Sequence, residues 1–157
     1  MLSKIFSAVL YGVDAHLMEV EVDLAQGLPL LSIVGLPDLA VKESKDRLRS
    51  AIKNTGFHFP VKKITINLAP ADLKKEGSAF DLPMALGILA AEGVVTGALF
   101  QRYLIVGELS LDGRVKETKG VLPMAILAKK RGMRGIIVPS KNASEGAVVS
   151  GIEVFGV

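Results

Sequence analysis

Alternation of apolar and polar positions dominates the first part of the chain. Between residues 16 and 24, Met18, Val20, Val22 and Leu24 fall on one face, while Leu17, Glu19, Glu21 and Asp23 fall on the other. That period of two predicts an antiparallel strand with one wet face. Residues 4 to 11 form a preceding strand, and Gly12 to Ala15 supply the turn of a hairpin. Gly27 and Pro29 then break the chain before L-L-S-I-V-G-L-P, an uncharged run that suits a strand buried on both faces. The same alternation returns at 64 to 68, with Ile64, Ile66 and Leu68 opposite Thr65 and Asn67.

A helical period takes over where Pro37 and Asp38 open a segment running to about Asn54, with Gly56 placed to end it. Val41, Leu48 and Ile52 share one face of that helix, and Lys42, Lys45, Arg49 and Lys53 share another. After the strand at 64, Pro70 stops ladder pairing and Asp72 to Ser78 form a polar turn. Asp81 and Pro83 start an apolar helix containing Leu82, Ala85, Leu86 and Leu89. Tyr103 to Leu109 reads as a strand turned back by Asp112-Gly113, and a helix over 121 to 131 follows Gly120 and ends at Gly132. A strand at 134 to 138, a short helix at 141 to 149 and a strand at 152 to 157 complete an α/β (α+β) pattern: a mixed β-sheet with helices packed on it.

Composition narrows the picture. The 157 residues fit one domain that buries roughly 70% of its unfolded surface. Hydrophobic residues make up 50% and aromatics 5%, so the core is aliphatic. A mean hydropathy of +0.43 predicts either a deeply buried central sheet or an apolar face for another domain or subunit. The absence of cysteine excludes disulfides and thiolate sites, and the isolated His16 and His58 lack metal-ligand spacing. No metal or cofactor is expected in this chain. A net charge of +3 is compatible with nucleic acid without requiring it. No stretch reaches the ~18 apolar residues of a membrane span, and no signal-peptide pattern opens the chain, so a cytoplasmic protein without a membrane partner is expected.

Three blocks carry a resemblance that covers essentially the whole chain: V-G-L-P-D-L-A-V-K-E-S-K-D-R-L-R-S-A-I at 34 to 52, I-N-L-A-P-A-D-L-K-K-E-G-S-A-F-D-L-P at 66 to 83, and G-E-L-S-L-D-G at 107 to 113. The sequence resembles the N-terminal domain of the ComM/YifB family of magnesium-chelatase-like AAA+ ATPases. The resemblance implies a fold similar to the Lon protease proteolytic domain and the RadA C-terminal domain, itself similar to a ribosomal-protein domain. It also implies a parent ATPase acting in DNA branch migration during natural transformation, assembled as a hexameric ring. Its partners would be its own AAA+ module, neighbouring subunits and single-stranded or branched DNA. No G-x-x-x-x-G-K-[ST] occurs here, so ATP and magnesium are expected only at an ATPase module outside these 157 residues.

The Lon-like resemblance directs attention to Ser78, in K-K-E-G-S-A at 74 to 79, which is similar to the loop of the Lon catalytic serine. A serine–lysine dyad needs a lysine amine beside the hydroxyl, neutral near pH 7. The position matching the Lon lysine is Leu122, which offers no base, and Lys119 three residues earlier sits outside the predicted helix. No catalytic residue is therefore expected; Ser78 is read as a vestigial candidate, a turn or capping residue, with Lon-type peptidase activity as the alternative. The candidate nucleic-acid or partner contacts are Lys42, Lys45, Arg49 and Lys53 on the helix, and Lys74 and Lys75 in the loop, near Lys62 and Lys63. Glu43 and Asp46 relieve the helix stripe, and a solvated outer face is its commoner explanation.

Overall fold

The computed structural model describes residues 1–157. Strands β1 (Leu2–Tyr11) and β2 (Asp14–Ala25) form the expected hairpin, paired from Leu2↔Asp23 to Tyr11↔Asp14. On β2 the alternation is realised: Met18, Val20, Val22 and Leu24 are buried while Glu19, Glu21 and Asp23 reach water. Strand β3 (Leu30–Val34) is followed by α1 (Leu39–Lys42), α2 (Ser44–Asn54), β4 (Lys63–Ala69), α3 (Asp81–Ala91) and α4 (Gly97–Phe100). Then come β5 (Tyr103–Ile105), β6 (Glu108–Leu109), β7 (Val115–Lys116), α5 (Val121–Lys130), β8 (Gly135–Val138), a 3₁₀ turn, α6 (Ala143–Gly146) and β9 (Glu153–Gly156).

Seven strands make one mixed sheet in the order β3-β4-β2-β1-β5-β8-β9, and β6 and β7 form a separate ribbon. Pairing is antiparallel at β1/β2 and β2/β4, and parallel at β3/β4, β1/β5, β5/β8 and β8/β9. The two-residue period of β1 divides the core between the sheet's faces. Ile5 and Val9 join the larger cluster with Val20, Leu48, Ile66, Met84 and Ile88 under α2 and α3. Ala8 joins a smaller one with Leu104, Val121, Met124 and Ile136 under α5.

Four sequence expectations are corrected. The strand expected to be buried on both faces, β3, lies at the sheet edge, and Leu30 and Val34 are exposed. The helix expected from Asp38 to Asn54 is interrupted at Glu43; the Asp38 carboxylate still caps its start, accepting from Val41 N–H at 2.8 Å. The strand expected over 103 to 109 ends at Ile105, because the Gly107 N–H and C=O bond Ala79 and Leu82 in the serine loop and α3 instead of a ladder. The helix expected over 141 to 149 shrinks to the 3₁₀ turn and α6. The Asp112-Gly113 turn does form, and Asp112 accepts from the Ser110 hydroxyl, Arg114 N–H and Arg114 Nε, which hold its carboxyl down at about 2.

Candidate functional site

The loop after β4 is strapped to the end of β3. Lys75 N–H donates to Leu36 O at 3.0 Å, and Asp38 N–H donates to Lys75 O at 2.9 Å. The Lys75 side chain is fully buried, its Nζ donating to Gly35 O at 2.7 Å and to Pro70 O. Burial pushes the Lys75 ammonium pKa below its ordinary range, partly opposed by Asp72. Lys75 is thus removed from the candidate contact set: an ammonium clamped between backbone carbonyls cannot reach a phosphate. The crossing is tight, since a Cβ at Gly35, where φ is +104°, would stand 2.2 Å from Leu68 O.

Beyond Lys75, Ser78 is half-buried and its Oγ donates to Glu108 Oε2 at 2.6 Å. Both line a cleft of about 540 Å³ that also exposes Asp38, Glu76, Glu117, Thr118 and Lys119. Four carboxylates against one lysine make this cleft acidic. Lys119 is exposed and makes no hydrogen bond to Ser78, whose hydroxyl is occupied by Glu108. Leu122 lies in the first turn of α5, where its N–H donates to Glu145 Oε2 at 2.8 Å.

One buried network underlies the cleft. The Asp81 carboxylate is fully buried and accepts from Ser44 Oγ at 2.6 Å, Arg47 Nε at 2.7 Å, Arg47 Nη2 at 3.2 Å and Leu109 N–H at 3.0 Å. The bond to Asp81 raises the Arg47 pKa further above its usual value. Asp81 begins α3, as its sequence position predicts, but its side chain ties α3 to α2 and β6 rather than capping its own helix. Arg47 and Glu108 escaped the sequence reading. Glu108 stands within G-E-L-S-L-D-G, whereas no spacing signals a partner for Asp81 in Arg47, 34 residues away.

The other basic candidates lie on α1, on α2 and in the serine loop. Lys42 ends α1, while Lys45, Arg49 and Lys53 lie on α2; Lys42 and Lys53 are exposed and Lys45 is half-buried. The Arg49 guanidinium sits 5.0 Å from the centre of the Phe59 ring. Lys74 pairs with Glu76 at 3.6 Å, and Lys62 pairs with Glu92 at 3.5 Å. No group of three or more His, Cys, Asp or Glu side chains is arranged to hold a metal ion, and no helix is long and apolar enough to cross a membrane.

Residues 20–142 match the family described as subunit ChlI of Mg-chelatase. The chain belongs to this ChlI family. Within it, the chain is 46% identical over 149 residues to the competence protein ComM of Haemophilus influenzae, covering 95% of this chain and 29% of that protein. It is 47% identical over 150 residues to the uncharacterized protein YifB of Escherichia coli, covering 96% of this chain and 29% of that protein. The chain therefore spans about three-tenths of the length of these curated relatives. A more distant similarity, 28% over 138 residues, links 83% of the chain to 16% of a Lon protease of Chloroflexus aurantiacus. The ChlI-family resemblance carried by the three sequence blocks holds, and so does the mixed α/β sheet with helices packed on it.

Proposed function

We propose that this ChlI-family chain is the non-catalytic N-terminal module of a magnesium-chelatase-like AAA+ ATPase that acts on DNA. The parent would work in branch migration or recombination during natural transformation, with ATP and magnesium bound at its ATPase module. The module would contribute DNA contact, ring assembly or coupling to neighbouring subunits. The observation that carries the non-catalytic reading is the serine loop: Ser78 Oγ donates to Glu108 at 2.6 Å and to no lysine, and the residue that the Lon resemblance matches to the catalytic lysine is Leu122, in the first turn of α5. No lysine amine is bonded to Ser78: the buried Lys75 Nζ is committed to Gly35 O and Pro70 O, and Lys119 is exposed, so the serine–lysine pair that Lon-type hydrolysis requires is not assembled. The similarity to a competence protein, ComM, supports the link to natural transformation.

The test pairs two assays on the same chain. Incubation with an unstructured peptide substrate, beside Ser78→Ala, is expected to give no turnover in either. Turnover lost in Ser78→Ala would establish the peptidase and overturn the non-catalytic reading. Titration with fluorescent single-stranded and branched DNA at two salt concentrations is expected to show binding that weakens with salt. No binding at low salt would overturn DNA contact by this module and leave assembly or coupling.

A further inference from the structure

A second groove lies at the other end of α5 from the serine cleft. Its cavity, about 710 Å³, is lined by Phe6, Leu17, Gln101, Arg102, Arg131, Gly132, Met133 and Arg134. Three of those eight residues are arginines and none is a carboxylate, the reverse of the serine cleft with Asp38, Glu76, Glu108 and Glu117. The molecule thus carries two clefts of opposite charge, at opposite ends of its parallel strands.

The arginines are placed by rigid backbone. Arg102 and Arg134 immediately precede the parallel strands β5 and β8, which begin in register at Tyr103↔Gly135, and Arg134 N–H donates to Arg102 O at 2.9 Å. Arg131 follows α5, whose last carbonyls are already taken by N–H groups of the turn: Gly132 to Lys129 O at 3.1 Å and Met133 to Ala128 O at 3.0 Å. These bonds take up Ala128 O and Lys129 O at the negative end of the helix. Arg134 Nε is bound to Glu153 at 3.0 Å, whereas the exposed Arg102 and Arg131 make no ion pair. Lys129 and Lys130, both exposed, add positive charge beside Arg131. The groove also contains apolar surface from Leu17, Met133 and Phe6, its one aromatic ring.

Guanidinium groups along a groove that also presents a half-buried ring match the chemistry of a flexible polyphosphate strand whose bases are free to stack. We propose that this groove, and not the 42 to 53 helix, is the contact of this module for single-stranded nucleic acid, with Arg102 and Arg131 on phosphates and Phe6 under a base. This rests on the DNA-contact reading above and gives it a location. A duplex, whose bases are already stacked, gains the phosphate contacts but not the ring.

The experiment titrates the chain with fluorescent oligo(dT) and with a duplex of equal length, at 20 and 150 mM salt. The variants are Arg102→Ala/Arg131→Ala, Phe6→Leu and Lys42→Ala/Lys45→Ala/Arg49→Ala/Lys53→Ala, each checked for an unchanged far-UV spectrum. The arginine pair is expected to lose about tenfold or more in oligo(dT) affinity and to flatten the salt slope by about 1.4, or roughly 0.7 per lost contact. Phe6→Leu, which keeps the groove apolar, is expected to weaken oligo(dT) by about tenfold and leave the duplex unchanged. The helix variant is expected to bind like the parent. Oligo(dT) binding that survives the arginine pair but is lost in the helix variant would overturn the groove while keeping DNA contact. Equal effects of Phe6→Leu on both ligands would overturn the single-strand assignment, and no binding by the parent chain at 20 mM salt would overturn both readings.

Discussion

Lys75 shows what one residue can do when its charge is folded inward. Its Nζ satisfies Gly35 O and Pro70 O and so fastens the serine loop to the end of β3. Lys75→Met keeps most of the side-chain volume but leaves those carbonyls without a donor, and it is expected to cost about 1–3 kcal/mol in urea unfolding. The pH dependence has a definite sign. Burial lowers the folded-state pKa below the ordinary 10.5, so between the two values the unfolded chain binds more protons. The penalty for burying the charge is present at neutral pH and is relieved as pH rises through the folded-state value. The stability gap between parent and Lys75→Met should therefore widen from pH 7 toward pH 10; a gap that narrows would contradict a buried, depressed lysine. Sequence alone groups Lys75 with Lys74 as two neighbouring cations in a polar turn. Only the return of this loop beneath Gly35 separates them, one buried and the other exposed beside Glu76.

Elements are held to one another here by a single carboxylate. Asp81 connects α3 to Ser44 and Arg47 of α2 and to the Leu109 N–H of β6. Asp81→Ala strands the partly buried Arg47 guanidinium and an inward-facing N–H, and it is expected to cost about 3–5 kcal/mol. Arg47→Ala should cost a similar amount, and the double variant should cost clearly less than the sum, because each single change already breaks the shared interaction. Strictly additive losses in a urea double-mutant cycle would show that the two side chains act separately. The start of α3 was legible from Asp81 and Pro83, and the hairpin of β6 and β7 from Asp112-Gly113, since turn and first-turn chemistry is local. Local pattern also misled: an uncharged run at β3 looks the same whether both faces are covered or the strand lies at an edge, and a helical stripe across Glu43 hides the break between α1 and α2.

At the scale of the whole molecule, β1, β2 and β5 serve both cores. Ile5, Met18 and Ile105 pack under α2 and α3, while Ala8 and Leu104 pack under α5 with Phe6 and Leu17 beside them. Two cores built on opposite faces of the same strands cannot be lost one at a time without exposing the other. Met124→Ala, a truncation confined to the smaller cluster, is expected to cost about 2–5 kcal/mol and to lower a single urea transition. Far-UV signal and tyrosine fluorescence in a Tyr11→Phe background, which reports Tyr103 in the larger cluster, should move together; separated transitions would show independent cores.

The hairpin of β1 and β2, the faces of β2 and β4, the starts of α1 and α3, the mixed sheet with packed helices and the family are all legible in the order of the residues. These depend on period, on turn and cap residues, and on long ordered motifs, all carried by neighbouring positions. Tertiary structure alone decided which charges meet. It buried Lys75, joined Arg47 to Asp81 and Ser78 to Glu108, gathered carboxylates around the serine loop, and brought Arg102, Arg131 and Arg134 into one groove. Those residues are distant in sequence, and charge carries no periodic signature of its partner. Burial and Coulomb energy depend on distances that exist only once β5 and β8 lie side by side and the loop after β4 has crossed the end of β3.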